Sequence, residues 1–162
     1  MRAISEFQGE YRFLSNFYPC DITIVGVDYK SVEAAYQASK SCFISKRKEF
    51  SNLEPGAAKK LGRTIELHKY WDDVAKITQM ELCLRAKFNI PGLRRRLIST
   101  SPLTLEEGNN WGDQFWGISR GKGRNVLGKL LMIIRDELIL YEPQMLTPKE
   151  AADLTTSDDI PF

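Results

Sequence analysis

The chain has 162 residues, 43% of them apolar and 27% charged, which suits one domain with its own core and excludes disordered, fibrous and disulfide-scaffold classes. No apolar run is long enough to span a membrane, and the stretch opening at Met1 has no apolar signal-peptide core. Three cysteines (Cys20, Cys42, Cys83) without CxxC spacing and a single histidine, His68, point to a reducing cytoplasm and away from a zinc or haem site. The net charge of +2 hides an asymmetry: beyond Tyr141, Glu142, Glu150, Asp153, Asp158 and Asp159 stand against Lys149 alone. A basic body favours a phosphate-bearing ligand, and an acidic tail favours a separate partner or a self-mask.

In chain order, Phe7 to Cys20 is dense in aromatics around one polar island, Ser15-Asn16. Ile22 to Tyr29 alternates β-formers and carries a glycine, which predicts a small hairpin. Ser31 is a natural N-cap for a helix running to about Cys42. Ala34, Ala35 and Ala38 allow close approach of other elements, while Glu33, Gln37 and Lys40 fall at i, i+4 and i+7 on one stripe. A carboxylate, an amide and an amine so placed form either a catalytic wall or a solvated ladder.

Ser45 to Asn52 reads as a charged surface segment, and Glu54 to Gly62 as a short helix stopped by Gly62. Trp71-Asp-Asp opens a longer helix with Val74, Ile77, Leu84 and Phe88 near helical spacing. His68 lies in a Leu-His-Lys-Tyr stretch with no supporting triad motif. Pro91 to Ile98 predicts another short helix, Leu93 and Leu97 inward and Arg94, Arg95 and Arg96 outward as a solvated face or a phosphate contact. Leu103 to Glu107 reads as a strand feeding the Gly108–Gly117 loop. Gly121 to Gly128 opens a final core helix, marked from Asn125 by Leu127, Leu131, Ile134, Leu138 and Tyr141. A glycine-rich loop at a helix start presents free N–H groups to a phosphate, or serves only as a tight turn. Trp71, Trp111 and Trp116 read as core residues. The fold class is therefore α+β: one helix-rich domain with a small hairpin or sheet over residues 1–141. A linker and flexible acidic tail follow over 142–162, with a capping box at Thr147–Glu150.

Several blocks resemble the NADAR (YbiA-like) family. They are Phe13–Pro19, Ser31–Lys40, Ala58–Arg63, Trp71-Asp72, Met80 through Lys87-Phe88, Trp111–Asp113, Trp116-Gly117 and Gly123–Arg135, collinear over nearly all of the body. Two departures bear on substrate preference: Ala34 stands where members usually carry His, and Gly112 to Phe115 separates Trp111 from Trp116. The resemblance implies a helix-rich α+β fold and a metal-free N-glycosidase without cofactor, cutting a C–N bond at ribose C1 through an oxocarbenium-like transition state. Some members cleave phosphoribosylated riboflavin-pathway intermediates; others remove ADP-ribose from guanine in nucleic acid. Carried onto this sequence, Glu33 is the acid/base carboxylate. Lys40 is a phosphate or ribose contact, or an amine that traps C1 as a Schiff base. Asp113 is the second carboxylate. Asn16 and Gln37 orient the sugar, Trp71 and Trp111 line the pocket or stack on the base, and Gly121, Gly123 and Asn125 take phosphate.

The last residues, Asp158, Asp159, Ile160, Pro161 and Phe162, resemble the C-terminal tip of bacterial single-stranded-DNA-binding proteins, a docking peptide for repair and replication enzymes. That resemblance tips the expected substrate toward ADP-ribosylated guanine in single-stranded DNA, with host proteins that bind such tips as partners and no membrane. The rivals are the same chemistry on phosphoribosylaminopyrimidines, and a non-catalytic module that binds ADP-ribose or NAD.

Overall fold

The sequence alternates short turn-bounded segments with apolar helical stripes, and it folds as three two-stranded pairings set among six helices. The structure, a computed structural model, describes residues 2–145, with side chains to Tyr141. The acidic tail, its capping box and Asp158–Phe162 lie outside the described residues.

Strand β1 (Ala3–Ile4) pairs in parallel with β4 (Thr104–Leu105), an N-terminal strand that sequence reading does not anticipate. A 3-10 helix, Gly9–Leu14, follows and buries Phe13 and Leu14. β2 (Ile22–Ile24) and β3 (Val27–Tyr29) form the expected antiparallel hairpin. Its turn residues Val25 and Gly26 have φ of 50° and 72°, both in the left-handed region that a two-residue hairpin turn needs.

Helix α1 (Val32–Ser39) starts where expected: Ser31 Oγ accepts from Ala34 N at 3.1 Å. It ends before Cys42 because Lys40 N and Ser41 N bond back to Gln37 O and Ala38 O, tightening the last turn. Phe43 N then donates to Ser41 Oγ and directs the chain away. All its residues are buried, so α1 is the inner helix and not a solvated ladder.

The charged segment after it contains α2 (Ile44–Lys48), fully on the surface, followed by buried Phe50. α3 (Pro55–Gly62) packs on α1. Gly62 ends it for a packing reason: a Cβ there would meet Gln37 Oε1 at 2.0 Å, whereas Arg63 caps the helix in ordinary right-handed geometry. In α4 (Asp73–Phe88), capped by Asp72, the buried stripe is Met80, Cys83, Leu84, Lys87 and Phe88; Val74, in the first turn, is exposed.

α5 (Pro91–Ile98) buries Leu93 and Leu97 as predicted. Its arginines are not merely solvated: Arg96 bonds Glu10 O at 2.9 Å and covers the Phe13 ring at 4.0 Å. β5 (Gly108–Asn109) pairs in parallel with β6 (Ile118–Ser119). α6 (Val126–Met145) continues past Tyr141, and its buried stripe is Val126, Leu127, Leu130, Leu131 and Ile134; Tyr141 is exposed. Buried Arg135 donates to Leu103 O at 2.7 Å and ties α6 to the segment entering β4. Among the described residues no helix is long and apolar enough to cross a membrane.

Candidate active site

Because α1 is wholly buried, its polar stripe is an interior feature, and interior polar groups need partners. Glu33, 6% exposed, has its backbone N–H bound to Asn16 O and its carboxylate bound by Gln37 Nε2 at 2.8 Å. Burial pushes the Glu33 carboxyl above its ordinary range and Asp113 adds to that; the Gln37 bond and the Lys59 and Lys40 ammoniums oppose it. Lys40, at the far end of the stripe, donates to Gly62 O at 3.3 Å. Its pKa is lowered, first by burial and then by Lys59 and Arg63, with Glu33 holding it up. Lys40, Lys59 and Arg63 thus form a basic edge beside a buried carboxyl. Asn16 sits at the start of α1, Oδ1 shielded and unpartnered.

A second carboxyl lies within electrostatic reach of the first. Glu107, in the turn between β4 and β5, has a shielded Oε2 without a hydrogen-bond partner. Burial, then Asp113 and Glu33, push it up to about 7, while Lys59 and Lys87 oppose the rise. Burial thus favours the protonated form of both carboxyls, and Asp113 adds to the rise at each. Sequence reading missed Glu107 although the signal was present. A strand over 103–107 places Leu103, Leu105 and Glu107 on one face, and Leu105 is fully buried. Lys59 was missed because the Ala58-Lys59-Lys60 run looks like an exposed helical face.

In the unfolded chain the Glu107 carboxyl loses its proton near 4.5, and in the folded protein near 7. Between those values the folded state holds a proton that the unfolded state lacks, so stability falls as pH rises through the window. Glu107→Gln is expected to remove this loss, narrowing the pH 5 to pH 8 stability difference by on the order of 2–3 kcal/mol. Urea unfolding midpoints of both proteins at the two pH values check it.

Asp113 lies beside this pair, with one oxygen already occupied: Oδ1 accepts from Phe115 N at 3.0 Å and Trp116 N at 2.9 Å. Asn109 braces the same loop through Asp113 N and Asp113 O. Tyr36, buried on α1, packs edge-on against Trp116 at 5.5 Å and against Trp71 at 6.0 Å. Trp71 thereby joins the wall next to Glu33. The structure brings Asn16, Glu33, Gln37, Lys40, Asp113 and Trp71 into one neighbourhood. Trp111 stands apart, 64% exposed in the 108–117 loop, and is not the core residue its type suggested.

The glycine loop is different from expectation. The N–H groups of Arg124, Asn125, Val126 and Leu127 donate to the carbonyls of Gln114, Gly117, Phe115 and Trp116. The head of α6 is occupied by this loop and has no free N–H set for phosphate at those positions. Gly121 sits exposed in a tight turn closed by Ser119 and Lys122. Gly123 is required by packing, since a Cβ would meet Gly117 O at 2.0 Å. Asn125 is buried at φ 51°, its Oδ1 accepting from Glu107 N at 3.0 Å and its Nδ2 donating to Leu105 O at 2.9 Å. These bonds replace sheet partners and explain why β4 is shorter than predicted. Asn125 has its N–H and its side chain engaged within the chain, and Gly121 and Gly123 shape the loop around the site.

Lys87 is a further buried cation. Its Nζ donates to Ser15 O at 2.7 Å, and burial lowers its pKa to about 8. It fixes the Ser15-Asn16 island against α4.

Set beside known proteins, residues 5–139 match the sequence model of the NADAR domain. The chain is 36% identical over 140 residues to a riboflavin biosynthesis protein of Vibrio vulnificus, covering 83% of this chain but 37% of that longer protein. It is 35% identical over 136 residues to N-glycosidase YbiA of Escherichia coli, covering 81% of this chain and 84% of that one. The solution structure of E. coli YbiA superposes with a TM-score of 0.77 at 31% identity, covering 91% of this chain and 92% of that one.

Proposed function

The chain belongs to the NADAR domain family, and from that premise we propose that it is an N-glycosidase that removes ADP-ribose from guanine bases in DNA. The observation that carries this reading is the two carboxyls whose pKa burial raises, Glu33 and Glu107, beside the basic edge of Lys40, Lys59 and Arg63. Breaking a C1–N bond leaves a nitrogen that needs a proton and a ribose carbon that becomes cationic. A protonated carboxyl supplies the acid and an ionised one the anion. Glu33 protonates the departing nitrogen, the ionised partner stabilises C1, and water adds at C1 with loss of a proton to the carboxylate. The cationic edge takes the phosphate of the ribose 5-position. Lys40 either makes that contact or condenses with the opened ribose aldehyde. Borohydride added during turnover fixes a mass adduct on Lys40 in the second case and none in the first.

A second reading, hydrolysis of phosphoribosylated riboflavin-pathway intermediates, is favoured by the likeness to relatives named for riboflavin biosynthesis in Vibrio vulnificus and Arabidopsis thaliana. The deciding assay gives the purified protein, with and without EDTA, an oligonucleotide carrying ADP-ribosyl-guanine and, separately, the small intermediate. Free ADP-ribose released from the oligonucleotide, indifferent to EDTA, is the expected result. Cleavage of the small intermediate alone moves the protein to the second reading, and binding without cleavage makes it a recognition module. Residues 158–162 belong to the same proposal as a docking segment for host DNA-repair proteins. Deleting them should spare turnover on a short oligonucleotide.

A further inference from the structure

Next along the chain from Lys40 and Arg63, residues Ser41 and Thr64 line a cleft that none of the proposed chemistry uses. It has a volume of about 700 Å³ and runs between the α1–α2 turn and the segment after α3, walled by Cys42, Phe43, Lys46, Leu67, His68 and Lys69. Cavities of that size hold small ligands of nucleotide dimensions. Its inner end adjoins the wall already described: Ser41 follows Lys40, Thr64 follows Arg63, and His68 meets Trp71 edge-on at 5.7 Å. Glu33 lies seven residues from Lys40 along α1, about 10 Å of helix, which is one ribose and a phosphate away.

The lining has a specific chemistry. Phe43 caps α2 with no side-chain bond and is 68% exposed, and Leu67 across the cleft is half exposed. An apolar floor of Leu61 and Ile65 lies between the two walls. Flat apolar faces with an unused phenyl ring suit a stacked aromatic base. Glu66 and Glu49 on the wall offer carboxylates to an exocyclic amino group, although Glu49 already holds Lys46 at 2.9 Å. Lys69 on the wall supplies positive charge for a phosphate. A phosphoribosyl metabolite ends at its 5-phosphate and leaves this cleft empty.

We infer that the cleft is a nucleotide subsite, binding a nucleoside 5′-phosphate group with an amino-bearing base that extends from the reacting ribose past Lys40. The inference rests on the proposed N-glycosidase reading and deepens it. Two sources carry that chemistry: the adenylate half of the departing ADP-ribose, or a nucleotide of the strand bearing the modified guanine.

The test uses Phe43→Ala, an exposed position whose loss leaves the core untouched, and Cys42→Trp, which fills the cleft. Calorimetric titration with adenosine 5′-monophosphate should show binding to the wild type and about tenfold weaker binding to both variants. In steady-state assays Phe43→Ala should raise KM about tenfold on ADP-ribosyl-guanosine and leave a phosphoribosyl N-glycoside unchanged. A KM effect confined to the ADP-ribosylated oligonucleotide assigns the subsite to the strand. Unchanged nucleotide affinity in both variants, or equal losses on all three substrates, overturns the subsite. If the wild type hydrolyses none of the substrates, the N-glycosidase reading falls while the titration still decides what the cleft binds.

Discussion

Glu33→Gln is expected to lower kcat by about 10²–10⁴-fold, the usual weight of a positioned acid or base. The substitution keeps the side chain's shape and an acceptor oxygen for Gln37 Nε2, which now bonds Glu33 Oε1 at 2.8 Å. Burial disfavours the ionised form of Glu33, a penalty the neutral amide does not carry, so the melting temperature should hold or rise. Activity on the ADP-ribosylated oligonucleotide and thermal unfolding by circular dichroism measure the two halves. A variant retaining more than a tenth of wild-type kcat would shift the acid role to Glu107, and Glu107→Gln would then carry the large loss.

Asn125→Ala is expected to destabilise the protein by about 2–4 kcal/mol. Both of its side-chain bonds hold buried backbone, at Glu107 N and Leu105 O, and alanine at φ 51° adds backbone strain. For a chain of this length the melting temperature should drop by about 5–15 °C. Activity should fall as well, because the backbone that aims Glu107 is released. A phosphate contact would behave differently, raising KM with an unchanged melting temperature, and that outcome would restore Asn125 to the substrate.

Elements defined by local chemistry were legible in the sequence. The hairpin follows from alternation and a glycine turn, α1 from Ser31 as a cap, and α5 from Pro91 with Leu93 and Leu97. Boundaries set by tertiary contacts were not. α1 stops early at the Ser41 turn, and β4 shrinks because the Asn125 side chain takes the bonds a strand would have used. The Glu33, Gln37 and Lys40 stripe was visible as spacing, but whether it faced water or the interior depended on how many elements pack on α1. The glycine loop misled for a related reason. Glycines before a helix signal available N–H groups only when nothing else packs there, and here the carbonyls of 114–117 do. Glu107 and Lys59 lie in segments whose composition resembles surface, and only long-range packing half-buries them.

The bracket between residues 114–117 and the head of α6 bears on the order in which this protein becomes competent during synthesis. Glu33, Lys40 and Lys59 belong to segments that emerge early and contact one another through α1 and α3. Glu107 and Asp113 emerge later, and the loop around them is held by amides of residues 124–127 and by the side chain of Asn125. A nascent chain that has not yet released its final helix from the ribosome therefore carries Glu33 and the basic edge without Glu107 and Asp113 in place. The two groups come together only when the last element docks.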